Sequence, residues 1–198
     1  MHINTHFAIG VIIASITHYF YNLTLFEFLF IVLCSFIMDF DIFLSKYARD
    51  NNHRMLISHS VIPSLVLIIL GLFFLWPTIL IGGITYFIHI IIDSCDWGTN
   101  FSGFHKKPFG PKFLISNEEL ENLSEILEDF KVKKSFFDFK YYKNKLIQAI
   151  EILVFIVMII VLLLFALKYI YFIIFYFPLL FFHLIGHFSL KKIEDEKQ

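Results

Sequence analysis

The sequence predicts an all-α fold, a bundle of about five to six apolar helices embedded in a membrane, with an amphipathic helical insertion on the cytoplasmic side. Hydrophobic residues make up 58% of the 198 residues, and mean hydropathy is +0.75. Charged residues make up only 17%, against about a quarter in soluble domains. The length fits one domain, so we expect a single membrane-embedded domain over residues 1–198.

Six apolar runs are the expected helices. They cover residues 7–20, 23–38, 61–76, 78–92, 146–167 and 170–188. Thr5 is expected to cap the first helix, and Pro77 separates the third from the fourth. A helix needs about 20 apolar residues to span the hydrocarbon core. The fifth run meets that length, whereas the first, second and fourth span only if their ends lie at the interface.

The polar segment before the fifth run has helical order of its own. Ser116 and Glu119 match a capping box, and apolar residues then recur every three or four positions from Leu120 to Phe130. Over residues 131–145, Lys alternates with Phe and Tyr, which favours an interfacial element contacting acyl chains and anionic head groups. The same pattern is also typical of single-stranded nucleic-acid binding. An apolar span follows directly, however, so we expect membrane lipids and no nucleic acid as partners.

The connectivity predicts the orientation in the membrane. If every run crosses, both termini and the long polar segments lie on one side. All but Lys168 of the 16 Lys and Arg then fall on that side. The positive-inside rule makes it the cytoplasmic side of the inner (cell) membrane. The two cysteines indicate neither a disulfide framework nor a Cys-based metal site.

Ligand-type residues of four segments should meet on the cytoplasmic surface. The expected metal ligands are His6, Asp39, His53, His59, His89 and Asp93. His89 and Asp93 are four apart and share one helix face. Carboxylate oxygen with imidazole nitrogen suits Zn²⁺, Mn²⁺ or Fe²⁺ better than Mg²⁺ or Ca²⁺. With Asp41 the groups suffice for two metal ions per chain, Zn²⁺ foremost. The expected parts of the domain are metal-site helices (1–99), an interfacial insertion (100–146), a C-terminal helical pair (147–188) and a charged tail (189–198).

These residues also carry a resemblance to a known family. The matching motifs are Asn4-Thr5-His6 with Gly10, Asp39-Phe40-Asp41, His53-Arg54 before Ser58-His59-Ser60, His89-x-x-x-Asp93 with Gly98, and Pro108-Phe109. In this order they resemble the YdjM-type family of membrane-bound, metal-dependent hydrolases, from the start of the chain to about Phe109. The chain departs from the family at Met38, where Pro is usual, and at Ser58, where Thr is usual. Zinc-dependent phospholipases C are more loosely similar.

The predicted function is a membrane-bound, metal-dependent hydrolase that acts on a phosphoester. A lipid phosphoester is the expected substrate because the site opens at head-group level. Asp41 is expected to bridge the metals or to act as the base that orients water, and Arg54 to neutralise the phosphate. Asp96 and Ser58 are expected to contact the metal ligands without binding the metal themselves. Gly98 is expected to allow the tight turn after the fourth helix.

Two other classes of protein stay open at this point. A non-enzymatic membrane protein would use the His/Asp cluster for a structural metal or to recruit a partner, and a shell closed by protein ligands would favour it. A metal-ion transporter needs ionisable residues along a path at mid-bilayer. The apolar runs carry only His18, Glu27 and Glu151, which argues against transport. His183 and His187, four apart in the last run, are supporting groups or an extra ligand pair.

Overall fold

The computed structural model describes residues 2–48, 52–105 and 107–196. In these residues the chain forms nine α-helices: α1 (Ile3–Tyr21), α2 (Leu25–Cys34), α3 (Val61–Phe73), α4 (Pro77–Asp96), α5 (Asn117–Glu121), α6 (Leu123–Glu128), α7 (Lys134–Lys143), α8 (Lys145–Phe165) and α9 (Phe172–Asp195). The described residues also form 3₁₀ helices at Ile37–Tyr47, His53–Met55, Ile57–His59 and Leu167–Tyr169. One isolated antiparallel bridge joins Thr99 and Phe109. The prediction of an all-α fold is confirmed.

Six of the helices correspond to the six apolar runs. By length and composition, α1, α4, α8 and α9 can cross a membrane. The helix α2 and the following 3₁₀ segment form a fifth crossing only if they are taken together, with a bend of 44° between them. The helix α3 has 13 residues and is too short to count as a span. The described chain therefore has four or five possible spans.

Local capping differs in part from the prediction. The helix α1 begins at Ile3, so Thr5 lies inside it, and the prediction of Thr5 as a cap is wrong. Its Oγ1 instead donates to Glu151 Oε1 on α8 at 2.7 Å. The capping box is confirmed: Glu119 N donates to Ser116 Oγ at 3.1 Å, and Ser116 N donates to Glu119 Oε2 at 2.8 Å. The amphipathic helix that follows is divided into α5 and α6.

The helix α1 lies at the centre of the bundle and contacts α2, α4, α8 and α9. Its inward face, which includes Ala8, Val11 and Ala14, is fully buried. It packs in one apolar cluster with Phe28 of α2 and Met158 of α8. By contrast, only 17% of the most apolar window of α8 and 6% of that of α9 is buried. These two helices therefore expose large apolar surfaces at the side of the bundle.

The short turns and the polar segments lie at opposite ends of the bundle. At one end, Lys168 Nζ donates to the Leu23 carbonyl at 3.2 Å, and Thr78 Oγ1 donates to Glu27 Oε1 at 3.1 Å. At the other end, the beginning of α1 meets the ends of α2 and α4. The insertion is attached there to α9, where the Glu194 carboxylate accepts backbone N–H groups of residues 131 and 132. We call the end with the short turns the simple end of the bundle, and the end with the polar segments the polar end.

Small residues allow α3 and α4 to pack closely as a hairpin. A Cβ added to Gly71 would lie 2.4 Å from the backbone nitrogen of Leu80, and one added to Gly83 would lie 2.8 Å from that of Ile68. Backbone atoms cannot move away as a flexible side chain can. Close approach at small residues is the usual way in which helices associate in lipid, where no hydrophobic force drives them together.

We predict that Gly71→Ala lowers the thermal unfolding midpoint of the detergent-purified protein, because the added methyl group forces α3 and α4 apart. Overpacking of this kind costs about 1–3 kcal/mol. The matched control is Gly186→Ala in α9, where an added Cβ meets no atom within 4 Å. That control should leave the midpoint unchanged or raise it. Equal midpoints for Gly71→Ala and the wild type would contradict the close packing of the hairpin.

Candidate metal centre

Four segments bring His and Asp side chains together at the polar end of the bundle. His6 comes from α1, Asp39 from the 3₁₀ segment after α2, and His59 from the 3₁₀ turn before α3. His89 and Asp93 lie one turn apart near the end of α4, on the same face. The Asp39 side chain is 18% exposed, whereas those of the other four residues are at most 1% exposed. The centre is therefore nearly enclosed, and its most exposed member is Asp39.

Four of these side chains direct one atom each toward a common point. Asp39 Oδ1 lies 3.8 Å from His59 Nε2 and 3.6 Å from His89 Nε2. Asp93 Oδ2 lies 3.6 Å from each of the same two nitrogens. In a tetrahedral zinc site with bonds of about 2.1 Å, neighbouring ligand atoms lie about 3.4 Å apart. The four atoms therefore have nearly the spacing that one tetrahedral divalent ion requires.

The hydrogen bonds of the two histidines support this role. Within the described residues, Nε2 of His59 and Nε2 of His89 are buried without a hydrogen-bond partner. His89 Nδ1 contacts the Ser35 carbonyl at 2.7 Å, so Nδ1 carries a proton, and in this tautomer of the neutral ring Nε2 presents a lone pair. Metal-binding histidines are typically held in this way by a backbone carbonyl or a carboxylate. The buried atoms thus fit a divalent metal ion.

Gly10 is needed for the placement of His89. A Cβ at Gly10 would lie 2.2 Å from Ser35 Oγ and 3.1 Å from the Val32 carbonyl. Its absence lets α1 approach the end of α2, where the Ser35 carbonyl accepts a hydrogen bond from His89 Nδ1. The glycine therefore acts on the centre through packing rather than through direct contact.

Asp41 lies behind His59 and holds its ring. Asp41 Oδ2 is 2.7 Å from His59 Nδ1 and also accepts a hydrogen bond from Ser58 Oγ. The Asp41–His59 pair is the carboxylate–histidine arrangement that fixes the ring and raises its basicity as a ligand. Asp41 Oδ1 is buried and has no hydrogen-bond partner among the described residues. The structure thus places Ser58 behind the ligands, and it leaves one Asp41 oxygen available for other contacts.

A second group of ligand-type atoms adjoins the first. It consists of Asp41, His53 and His59, whose ligand atoms lie within 4.8 Å of one another. The rings of His53 and His59 are 5.1 Å apart. Burial and the neighbouring Arg54 lower the pKa of His53 from 6.5 to about 4, so its ring is neutral at pH 7. His59 belongs to both groups and therefore links them.

Negative charge dominates the surroundings of His59. Burial lowers the pKa of this residue, but the surrounding carboxylates, led by Asp39, outweigh burial and hold the pKa well above its usual value. The centre consequently favours positive charge at this point. A proton supplies that charge on the ring when no metal ion is bound.

His6 and Arg54 both contact Asp93 and complete its surroundings. His6 Nε2 lies 3.1 Å from Asp93 Oδ1, and the His6 ring packs on His89 with centroids 3.9 Å apart. Arg54 Nη2 lies 3.3 Å from Asp93 Oδ2. The structure therefore brings His6 to the centre as a partner of Asp93 and outside the four-atom group. Arg54 Nη1 is buried and has no hydrogen-bond partner among the described residues.

The loop after α4 positions the 3₁₀ helix His53–Met55, which carries His53 and Arg54. Gly98 has φ +84° and allows the predicted tight turn, with its N–H donating to the Asp93 carbonyl at 3.1 Å. Asn100, which the sequence analysis missed, donates from its backbone N–H to the Arg54 carbonyl at 2.9 Å and from Nδ2 to the Met55 carbonyl at 3.1 Å. The turn formed at Gly98 is the signal that could have drawn attention to Asn100. Asp96 is buried at the end of α4, and its carbonyl accepts the N–H of residue 114.

The two histidines of the last helix have separate partners. His187 Nδ1 lies 2.5 Å from Asp138 Oδ2 of α7. The ring of His183 stacks on that of His2 with centroids 4.2 Å apart. Neither belongs to the two ligand groups described above. His187 thus helps to attach the insertion, and His183 faces the beginning of α1.

Comparisons with known proteins found no relative. No protein-family model matches the chain, and no curated protein or solved structure shows significant similarity to it. The resemblance to the YdjM-type family therefore stays a prediction. Functional assignment rests on the geometry of the centre and on the motifs of the sequence.

We predict that His89→Ala abolishes binding of divalent metal, because it removes one of the four converging atoms and the contact that orients it. The measurement is metal content of the detergent-purified protein by mass spectrometry after incubation with Zn²⁺. The matched control is His18→Ala, whose ring contacts Tyr169 near the other end of α1. Equal metal content in His89→Ala and His18→Ala would contradict the centre.

We predict that Asp41→Asn reduces metal binding less than His89→Ala does. Asp41 is outside the four-atom group and acts on it only by holding the His59 ring through Nδ1. Loss of such a supporting carboxylate typically weakens metal affinity about 10–100-fold without abolishing it. A competition titration with a chromogenic chelator measures the affinity. Complete loss of metal would instead make Asp41 a direct ligand, and unchanged affinity would show that its contact with His59 is irrelevant.

Proposed function

We propose that the protein is a multi-pass membrane enzyme that hydrolyses a phosphoester, with a lipid phosphoester as substrate, at a divalent-metal centre on the cytoplasmic side of the cell membrane. The observation that carries the proposal is the convergence of Asp39, His59, His89 and Asp93. Their ligand atoms are buried at nearly tetrahedral spacing, and the two histidine nitrogens lack hydrogen-bond partners among the described residues. The YdjM-type motifs agree with this reading.

The exposed surface of the bundle supports insertion into a membrane. Only 17% of the most apolar window of α8 and 6% of that of α9 is buried, which leaves more apolar surface uncovered than a soluble protein has. Exposed aromatic residues ring the simple end of the bundle, among them Phe20, Tyr21, Phe74 and Trp76. Aromatic side chains concentrate at membrane–water interfaces in this way. The insertion, with its Lys and aromatic residues, would then lie at the opposite interface.

The distribution of charge supports the orientation. Lys168 lies at the simple end of the bundle, and every other Lys and Arg lies in or beside the polar segments. By the positive-inside rule the metal centre and both termini would face the cytoplasm. The centre would then lie at head-group depth, where a lipid phosphoester can reach it.

The side chains present a division of tasks for hydrolysis. Asp39, His59, His89 and Asp93 would hold one metal ion, and His53 is the neighbouring group that would contribute to a second. When bound, Zn²⁺, or Mn²⁺ or Fe²⁺ in its place, supplies a water of lowered pKa and neutralises a phosphate oxygen. Arg54 Nη1, which has no hydrogen-bond partner among the described residues, would donate to the phosphate while Nη2 keeps its contact with Asp93. Asp41 Oδ1 would accept a proton from water as the water oxygen bonds to phosphorus, and would return that proton to the leaving oxygen as the ester P–O bond breaks, so that an alcohol departs.

One observation favours a second candidate, a structural metal site in a non-enzymatic membrane protein. Four protein ligands complete a tetrahedral shell, and closed shells of this kind are typical of structural zinc. His59, His89 and Asp93 are also almost fully buried. Catalysis in the proposed enzyme would require water to displace one of these ligands, and Asp39, at 18% exposed, is the least buried of them.

The test is hydrolysis by the purified protein in detergent, reconstituted with Zn²⁺ or Mn²⁺. The substrates are bis-p-nitrophenyl phosphate, phosphatidic acid and phosphatidylglycerol. We expect metal-dependent release of product that Asp39→Ala reduces to background, while His18→Ala retains it. Bound metal without hydrolysis, together with unfolding upon chelation, would overturn the enzyme and establish the structural site.

A further inference from the structure

Two short 3₁₀ turns carry three side chains of the centre, His53, Arg54 and His59. Both turns lie in residues 52–60, between the longer 3₁₀ helix and α3. Within this segment the carbonyls of residues 52, 53, 56 and 57 accept the hydrogen bonds that close the turns. The carbonyls of residues 54, 55 and 58 are not used by the turns and need donors from elsewhere. The placement of these side chains therefore depends on groups outside the segment.

Asn100 supplies the donors for the first turn. Its backbone N–H donates to the Arg54 carbonyl at 2.9 Å, and its Nδ2 donates to the Met55 carbonyl at 3.1 Å. The residue is only 6% exposed, and its Oδ1 accepts the backbone N–H of His105 at 2.7 Å. Its own carbonyl accepts the N–H of Gly103 at 2.8 Å. Each polar group of Asn100 is thus paired, which fixes the loop after α4 and the first turn to each other.

Tyr86 of α4 supplies the donor for the second turn. Its hydroxyl donates at 2.5 Å to the carbonyl of Ser58, the residue directly before His59. The Tyr86 ring is buried in an apolar cluster that includes Met38 and Ile90. A substitution that removes only the hydroxyl therefore leaves the packing of the ring in place. The two turns have separate anchors.

The two anchors hold different parts of the centre. His59 belongs to the four-atom group that fits one metal ion, whereas Arg54 lies outside that group. Arg54 Nη2 lies 3.3 Å from Asp93 Oδ2, and Nη1 is buried without a hydrogen-bond partner among the described residues. The donors of Arg act in a rigid planar fork, so the direction of Nη1 depends on where the backbone of Arg54 is held. Asn100 is the residue that holds it.

We propose that Asn100 is a positioning residue for Arg54, and through Arg54 for the phosphate of the substrate, while Tyr86 separately positions His59 for the metal ion. The role toward phosphate rests on the proposed function, whereas the placement of Arg54 by Asn100 does not require it. Loss of the Asn100 side chain should impair phosphate binding and spare the metal. Loss of the Tyr86 hydroxyl should do the reverse.

The first test measures the placement of Arg54 without metal or phosphate. Phenylglyoxal modifies arginine side chains, and the chain has two of them, so Arg49 serves as the internal reference for Arg54. Modification of the detergent-purified protein is followed by peptide mass spectrometry. We expect Asn100→Ala to raise the rate at Arg54 relative to Arg49 about tenfold, roughly the effect of one lost hydrogen bond. Tyr86→Phe is the matched control and should leave the rate unchanged.

The second test measures zinc and phosphate separately. Competition with a chelator gives the zinc affinity, and calorimetric titration of the zinc-loaded protein gives the affinity for inorganic phosphate. We expect Asn100→Ala to weaken phosphate binding about tenfold and to retain zinc affinity. Tyr86→Phe should weaken zinc affinity about tenfold and retain phosphate binding once zinc is loaded. In an Arg54→Ala background, Asn100→Ala should cause no further loss of phosphate affinity, because Asn100 acts through Arg54.

Three outcomes would overturn the proposal. They are an unchanged rate at Arg54 in Asn100→Ala, an equal rise of that rate in Tyr86→Phe, and a further loss of phosphate affinity when Asn100→Ala is added to Arg54→Ala. If Asn100→Ala does not fold, Asn100→Asp replaces it in the labelling test. That variant keeps an oxygen for the N–H of His105 and removes only the donor to the Met55 carbonyl.

The labelling test also separates this proposal from the proposed function. A faster rate at Arg54 in Asn100→Ala, together with no phosphate binding by the zinc-loaded wild type, would sustain the placement of Arg54 by Asn100. The same result would remove phosphate as the group that Arg54 binds. Phosphate binding by the wild type with an unchanged rate at Arg54 in Asn100→Ala would instead overturn the role of Asn100 and leave the proposed function standing.

Discussion

The carboxylates of Asp39 and Asp93 lie close together at the end of an apolar bundle, and the rest of the site is arranged to tolerate them. Burying an ionised carboxylate costs several kcal/mol after relaxation unless opposite charge compensates it. Asp93 has that compensation from Arg54 at 3.3 Å and from the His6 ring at 3.1 Å. Asp39 lacks an Arg or Lys partner in the salt bridges of the described chain and faces only His59 and His89. A divalent ion between the two carboxylates would complete the charge balance that the protein groups leave incomplete.

The same constraint accounts for features of the surrounding packing. Each histidine of the four-atom group must present Nε2 inward, so each needs an acceptor at Nδ1. Ser35 supplies one through its carbonyl, and Asp41 supplies the other. Gly10 permits the first contact by letting two helices approach, and Ser58 supports the second. Residues without a ligand atom in the centre thus determine which nitrogen can bind a metal.

Sequence reasoning was sufficient for periodic features and for the gathering of ligand-type residues. The apolar runs are helical, and the spacing of His89 and Asp93 places both on one face because α4 is a regular α-helix. The pair Asp39 and Asp41 lies on a 3₁₀ segment, where two residues span about two thirds of a turn. One therefore faces the centre and the other lies behind His59. A short irregular connector has no periodic pattern from which the different positions of Asp39 and Asp41 could be predicted. The contacts of Asn100 could not be predicted for the same reason, because they depend on a loop of 3₁₀ and extended backbone.

The exposure of Asp39 relates the centre to the membrane surface. Asp39 is the least buried of the four ligands, at 18% exposed against at most 1% for the others, and it belongs to the bent segment after α2. That segment directs Phe43 and Tyr47 outward, at 77% and 72% exposed, as an element at a lipid interface does. The least buried ligand of the centre thus belongs to the segment whose apolar side chains face outward, which is the side from which the lipid phosphoester of the proposed function would approach.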